Sequence, residues 1–345
     1  MKPKAIFFCG DRSPYGLAHL EPVLDSFGIA AVVVADGERW ARFRKALSGE
    51  EGDRPPATPR AAAGRLLGGI VRALRGAPGR ERELERVPGF PDLPVWRVFD
   101  VNEGTFLDRV RAARPEILLS AAYPQIFSRE LIAIPPRGAV NFHPSLLPKF
   151  RGAHPHFWAI AMGEKESGLT AHFMTGEIDA GDVLAQVSYP IGDLDYAQLY
   201  ERMIAETPAI VREVALFFRE GRRALPQDPS RATRFRNDRE IHRRVFWNLH
   251  TAEQVRNLAR TGTAFCFFRN ERVGIVRAGV AETNRNLTND VRVEPGTIVD
   301  LGPGGVVVKA VDACVEIRDF GNGAKALSPA RWAAVKRARV GEKFG

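Results

Sequence analysis

Cysteine is scarce in this chain. Of 345 residues only three are cysteine, Cys9, Cys266 and Cys314, odd in number and far apart, so the disulfide framework of a small secreted fold is excluded. Cys9 and Cys266 fall in apolar runs that read as buried strands, which suits reduced thiols in a cytoplasm. Long apolar runs are also missing. Ala5-Ile6-Phe7-Phe8 is too short for a signal peptide, and no stretch approaches the ~20 residues that cross a bilayer, so no membrane partner is expected. No Cys or Asp cluster joins His154, His156 and His172 to complete a ligand set, and no metal is expected. The glycine fingerprint of a dinucleotide site is absent, because only Cys9-Gly10-Asp11 follows the first strand. What remains, 45% apolar with a net charge of +9, is a globular chain longer than one core usually serves.

The pattern that is present opens as a βαβ unit: a buried strand at 5–8, a helix over 17–26 and a second strand at 30–34. Residues 116–121 and 138–142 read as further parallel strands, and Leu199, Met203, Ile210, Val214 and Phe217 set the stripe of one long helix over 196–220. Together these predict an α/β fold with a Rossmann-like parallel sheet over 1–224, interrupted by an insertion at about 40–92. Within that insertion, residues 54–86 carry eight arginines against three glutamates. Such a segment could grip phosphates, or be a solvated helix with its apolar face on Leu66, Leu67, Ile70, Val71 and Leu74. Prolines and charges without periodicity mark 225–240 as a linker. A smaller domain follows at 241–345, with a helix over 242–260 and then five short strands at 264–268, 272–280, 296–299, 305–310 and 314–319, enough for a small β-barrel.

Chemistry concentrates in Asn141-Phe142-His143-Pro144-Ser145-Leu146-Leu147-Pro148-Lys149-Phe150-Arg151-Gly152 and in Asp179 of Ile-Asp-Ala-Gly-Asp. Asn141 and His143 are two apart on a strand and so leave the same face, at the carboxyl end where open α/β sheets keep their ligands. An amide, an imidazole and a carboxylate suffice for acyl transfer onto an amine, which needs a proton acceptor and donors to a developing oxyanion. Arg151 reads equally as a phosphate or carboxylate ligand and as a brace of its own loop. His154 and His156 lead from that loop into a helix that starts near Pro155, where they can line an acceptor pocket or cap the helix.

These residues, in this order and spacing, closely resemble the motif of the folate-dependent formyltransferases, a family that includes methionyl-tRNA, glycinamide ribonucleotide and amino-sugar formyltransferases. The resemblance implies Asn141, His143 and Asp179 as the catalytic trio, with 10-formyltetrahydrofolate as co-substrate. Asn141 and His143 would serve the oxyanion, and either His143 or Asp179 would be the base. It further implies a folate pocket with Tyr123, Gln125, Ile126 and Phe127 on one wall, Thr175, Gly176, Glu177 and Ile178 opposite, and Ser145 and Leu146 from the motif itself. Pro124 stands where the family often has glycine. The second domain resembles the OB-like C-terminal barrel of methionyl-tRNA formyltransferases, yet the Pro-Asp-Arg-Pro-x-Gly-Arg-Gly type loop of those enzymes is not reproduced. The expected function is therefore N-formylation of a small-molecule amine, such as an amino-sugar nucleotide or amino-acid-derived metabolite. Alternatives are an aminoacyl-tRNA acceptor, a 10-formyltetrahydrofolate hydrolase, and an RNA-binding module keeping the enzyme's shell. The basic tail at Arg331, Lys336, Arg337, Arg339 and Lys343 would meet phosphates or only water.

Overall fold

Strands rich in Val, Ile, Leu and Phe assemble a seven-stranded sheet in the computed structural model, which describes residues 2–10, 13–36, 93–282, 292–302, 304–322 and 325–345. The arginine-rich insertion lies outside the described residues. Strands β1 (Lys4–Cys9), β2 (Gly28–Ala35), β3 (Val95–Val98), β4 (Ile117–Ala121) and β5 (Ala139–His143) are parallel. The two-residue β6 (Arg151–Gly152) stands apart, while β7 (Glu166–Phe173) runs antiparallel to β5 and β8 (Val183–Pro190) antiparallel to β7. The order is β3-β2-β1-β4-β5-β7-β8.

Near-continuous apolar strands require cover on both faces. Among the described residues the helices of this half are α1 (Pro14–Ala18), α2 (Leu20–Ser26), α3 (Gly104–Ala113), α4 (Arg129–Ala133), α5 (Pro155–Ala161), α6 (Tyr196–Ala205) and α7 (Thr207–Glu220). Phe7, Leu119, Val140 and Phe142 pack on one face with Leu199 and Met203 of α6 and Ile210 and Val214 of α7. Ile6, Phe8, Leu118 and Ala139 pack on the other with Phe106 and Val110 of α3 and Leu131 of α4. The expected helix over 196–220 is two helices instead. Pro208 lacks the N–H that would continue the ladder and sits in the first turn of α7, so the chain breaks at Glu206. The expected helix over 17–26 likewise divides, at His19.

Residues 240–345 build a second core. Ahead of it β9 (Arg234–Phe235) pairs back onto β6, and its own elements are α8 (Glu240–Arg243), α9 (Ala252–Arg260), β10 (Phe265–Phe268), β11 (Glu271–Val280), β12 (Ile298–Leu301), β13 (Val306–Lys309), β14 (Cys314–Asn322), β15 (Lys325–Leu327) and α10 (Pro329–Lys336). The helix expected over 242–260 is interrupted, because Val245 N–H bonds the carbonyl of Phe265 at 2.8 Å and Thr251 caps a new start for α9. The curled antiparallel sheet runs β10-β11-β14-β13-β12, with β15 on β14, one strand more than the five expected.

Residues 341–345 join the two edges of that sheet. Gly341 N–H bonds the carbonyl of Ile298 at 2.8 Å and Ile298 N–H that of Glu342 at 2.7 Å, while Phe267 and Gly345 exchange bonds of 3.1 and 2.7 Å. An edge strand otherwise leaves a row of unpaired backbone groups. Phe344 stacks against Trp332 and Phe320 inside. In the basic tail, Lys336 pairs with Glu271 and Lys343 with Glu294.

Candidate active site

On β5 the alternation of side chains divides chemistry from core. Val140 and Phe142 enter the α6–α7 helical face, whereas Asn141 and His143 point to the other. Register then adds a group from the neighbouring strand, since Asn141 lies directly opposite His172 and His143 opposite Thr170. After β7 the chain loops through 174–182 and brings Asp179 over these side chains.

Asp179 Oδ2 lies 3.5 Å from His143 Nδ1, and its Oδ1 lies 3.5 Å from His172 Nε2. Gly152 N–H donates to Oδ2 at 2.8 Å. His143 Nε2 is 2.9 Å from the carbonyl of Phe150, so that nitrogen carries hydrogen and Nδ1 is left to face the carboxylate. His172 Nδ1 is 2.9 Å from the carbonyl of Phe173, which again demands an N–H, and Asn141 Nδ2, an N–H donor, lies 3.3 Å from its Nε2. The second N–H of Asn141 is left for a ligand.

Burial bears on both charges. It pushes the His143 imidazole below its ordinary value, against the opposing pull of Asp179 and the Phe150 carbonyl. On Asp179 burial acts upward but is outweighed by His143, His172 and the Gly152 amide, which hold the carboxyl well below the usual carboxylate range. The carboxylate is therefore charged at neutral pH. Asp179 is also held at φ 54°, a left-handed conformation that costs a non-glycine residue roughly 1–2 kcal/mol. Gly181, two residues on, cannot be replaced freely, since a Cβ there would come 2.0 Å from the carbonyl of Phe173.

Residues 225–238, expected as a linker, are packed along this site. Val183 and Leu225 exchange backbone bonds of 2.7 and 2.9 Å. Gln227 Nε2 donates to the carbonyls of Asp179 at 2.9 Å and Gly181 at 2.7 Å. Phe150 N–H bonds Thr233 Oγ1 at 2.8 Å, and Phe150, Phe235 and Trp158 stack in succession with centroids 5.5 and 4.5 Å apart. Arg151 directs Nε and Nη2 to Gln227 Oε1 at 3.1 and 2.6 Å, which makes it a brace in this structure.

The expected folate residues occupy two loops beside the trio. Tyr123 packs edge-on against Phe8 and Phe127, and Phe127 lies tilted against Phe8 in the core. Ile126 is 70% exposed and Ile178 39%. Gln125 gives its amide to the carbonyl of Phe99 at 2.7 Å and accepts from Val101 N–H at 3.0 Å, so its side chain is spent on its own fold. Arg129, at the start of α4, lies beside Gly176, where a Cβ would come 2.7 Å from Nε. Thr175 Oγ1 receives Glu177 N–H at 3.2 Å and closes that turn. Ser145 donates to the carbonyl of Lys149 at 2.8 Å and Leu146 packs over Gly168, so both side chains face inward.

His172 and Gln227 are the neighbours of Asp179 that sequence reasoning left out of the site. The sequence groups His172 with His154 and His156, from which the structure separates it: His154 bonds Asp238, and His156 packs beside Tyr196 and Tyr200. Among the described residues no three His, Cys, Asp or Glu side chains converge as a metal site. Alternation in Thr170-Ala171-His172-Phe173 assigned a strand, and only the β5–β7 register could have assigned its histidine to Asn141.

The Formyl transferase family model matches residues 80–214, and its C-terminal domain model matches 239–337. Methionyl-tRNA formyltransferase of Acetivibrio thermocellus is 33% identical over 225 residues, covering 63% of this chain and 70% of that one. The chain belongs to the folate-dependent formyltransferase family. A Staphylococcus aureus methionyl-tRNA formyltransferase is 30% identical over 235 residues, 66% of this chain and 74% of its own. Among solved structures, the sugar 3N-formyltransferase WlaRD, determined with dTDP and 5-N-formyl-THF, superposes with a TM-score of 0.58 at 15% identity over 92% of this chain and 97% of that one. HypX of Aquifex aeolicus superposes with a TM-score of 0.53 at 16% identity and 99% of this chain, which spans about half, 49%, of HypX. At these identities the two structures speak for the formyltransferase fold alone.

Proposed function

We propose that this formyltransferase moves the formyl group of 10-formyltetrahydrofolate directly onto a primary amine through a tetrahedral intermediate, with Asn141, His143 and Asp179 as its catalytic groups. The observation that carries this reading is the approach of Asp179 to within 3.5 Å of both His143 and His172, beside an Asn141 amide with one N–H to spare. The amine attacks the formyl carbon, its nitrogen forms the new C–N bond, and the carbonyl electrons move onto oxygen. Asn141 Nδ2–H stabilises that oxyanion. Asp179 and His143 take the amine proton as a unit, and the intermediate collapses as the C–N bond to the folate breaks and its nitrogen is protonated. No covalent enzyme intermediate is needed. Ile126 and Ile178, both exposed, supply apolar contact for the folate ring.

For the acceptor we infer a small amine, since the arginine loop typical of tRNA-directed members is not reproduced in the sequence. Incubation with 10-formyltetrahydrofolate and a panel of amino-sugar nucleotides, amino-acid amines and aminoacyl-tRNA, read by a mass gain of one carbonyl, tests both halves. Product from a small amine alone supports the reading. An aminoacyl-tRNA acceptor is favoured by the curated relatives and by Arg234, Arg236 and Arg239, exposed beside β6. Product from tRNA with steep salt dependence would replace the small amine. Formate released with no acceptor present would point to hydrolysis.

A further inference from the structure

Two separate arms of the chain define where Asp179 sits. One is the 148–153 loop, whose Phe150 carbonyl holds His143 Nε2 and whose Gly152 N–H holds Asp179 Oδ2. The other is the 174–183 turn, which carries Asp179 itself in a left-handed conformation. Backbone bonds tie residues 225–235 to each arm in turn: Leu225 to Val183, Thr233 to Pro148 and Arg151, and Phe235 to Ala153. One side chain of that segment, Gln227, joins them directly. Its Oε1 accepts from Arg151 on the loop, and its Nε2 donates both hydrogens to the turn, at the carbonyls of Asp179 and Gly181.

We propose that Gln227, oriented by Arg151, is a positioning residue that sets the Asp179 carboxylate against His143 for the transfer. The primary amide is the side chain that fits the task. Its oxygen must accept from a guanidinium while its nitrogen donates twice, so neither a carboxylate nor an apolar side chain of equal length serves both arms. Because Asp179 sits on a strained residue between two loops, loss of the clamp lets the carboxylate drift without unfolding the sheet. A misplacement on the order of 1 Å near reacting groups costs roughly a hundredfold in rate. The inference rests on the catalytic role proposed for Asp179.

The experiment compares Gln227→Glu, which keeps the Arg151 contact and loses both donors, with Gln227→Met, Arg151→Met and the double variant. Donor is 10-formyltetrahydrofolate, and acceptor is the amine that gives the most formylated product in the panel above. Expected is a kcat loss of about a hundredfold for Gln227→Glu, with folate KM changed less than about threefold and the melting temperature nearly unmoved. Arg151→Met should cost less, and combined with Gln227→Met should add nothing, as members of one unit behave. Wild-type turnover in a folded Gln227→Glu overturns the proposal, as does a turnover loss that follows only the loss of folded protein. If Gln227→Glu does not fold, Arg151→Met decides by the same split between kcat and KM. Asp179→Asn runs alongside: full activity there removes the catalytic reading itself, whereas a dead Asp179→Asn beside an active Gln227→Glu removes only the clamp.

Discussion

Two buried histidines flank strand β5 from opposite sides, and they differ in what surrounds them. His19 lies on the helical face, its ring 4.7 Å from Phe142, with Nδ1 bonded to the carbonyl of Tyr15 at 2.8 Å and Nε2 without a hydrogen-bond partner. His143 lies on the other face, with a carbonyl at one nitrogen and a carboxylate at the other. Burial lowers both, His19 to about 4. On His19 little opposes it, so the ring stays neutral and serves packing. On His143 Asp179 and Phe150 work against it, so the cost of charging Nδ1 is partly offset where a proton would arrive. The pairing around a buried imidazole, more than its burial, separates a core residue from a candidate catalyst.

The sharpest way to break that contrast is Asp179→Asn, which keeps the shape and removes the charge. Turnover should fall by about a thousandfold with folate KM changed little, read by steady-state kinetics with the accepting amine. Retained turnover would place Asp179 with the structural groups. Next, Phe142→Ala attacks the helical face alone. It should lose about 3–5 kcal/mol in denaturant unfolding, while the remaining folded enzyme keeps its folate KM. A third measurement titrates His19. Its folded value of about 4 lies below the unfolded 6.5, so the unfolded chain binds the proton first. Stability is whole above pH 6.5 and falls by about 3 kcal/mol as pH drops toward 4. His19→Leu should remove that part of the acid dependence and leave kcat near wild type. Smallest is Ile126→Ser, expected to leave stability within about 0.5 kcal/mol and to raise folate KM by a few-fold.

Much of the first sheet was legible, because buried parallel strands announce themselves as apolar runs and Asn141-Phe142-His143 carries its two faces in its alternation. Asp179 was legible through its resemblance. His172 was not, since alternation gives the face of a strand but not its register against a neighbour, and here the register makes the contact. Gln227 was hidden for a different reason. Its segment has no periodicity and its bonds run to backbone carbonyls 46 and 48 residues away. Pro208 was visible, but the apolar stripe runs on through it at helical spacing, and the stripe outweighed the missing N–H. The second sheet's strands were readable one by one, whereas its closure depends on Gly341–Gly345, a stretch with one phenylalanine and no alternation.

That closure has a consequence for synthesis. A seam made by residues 341–345 cannot be sewn until they have left the ribosome, so a nascent chain held just short of them exposes the rims of β10 and β12 together. The second half of the molecule would then be the part most prone to sticking to its siblings until that segment emerges.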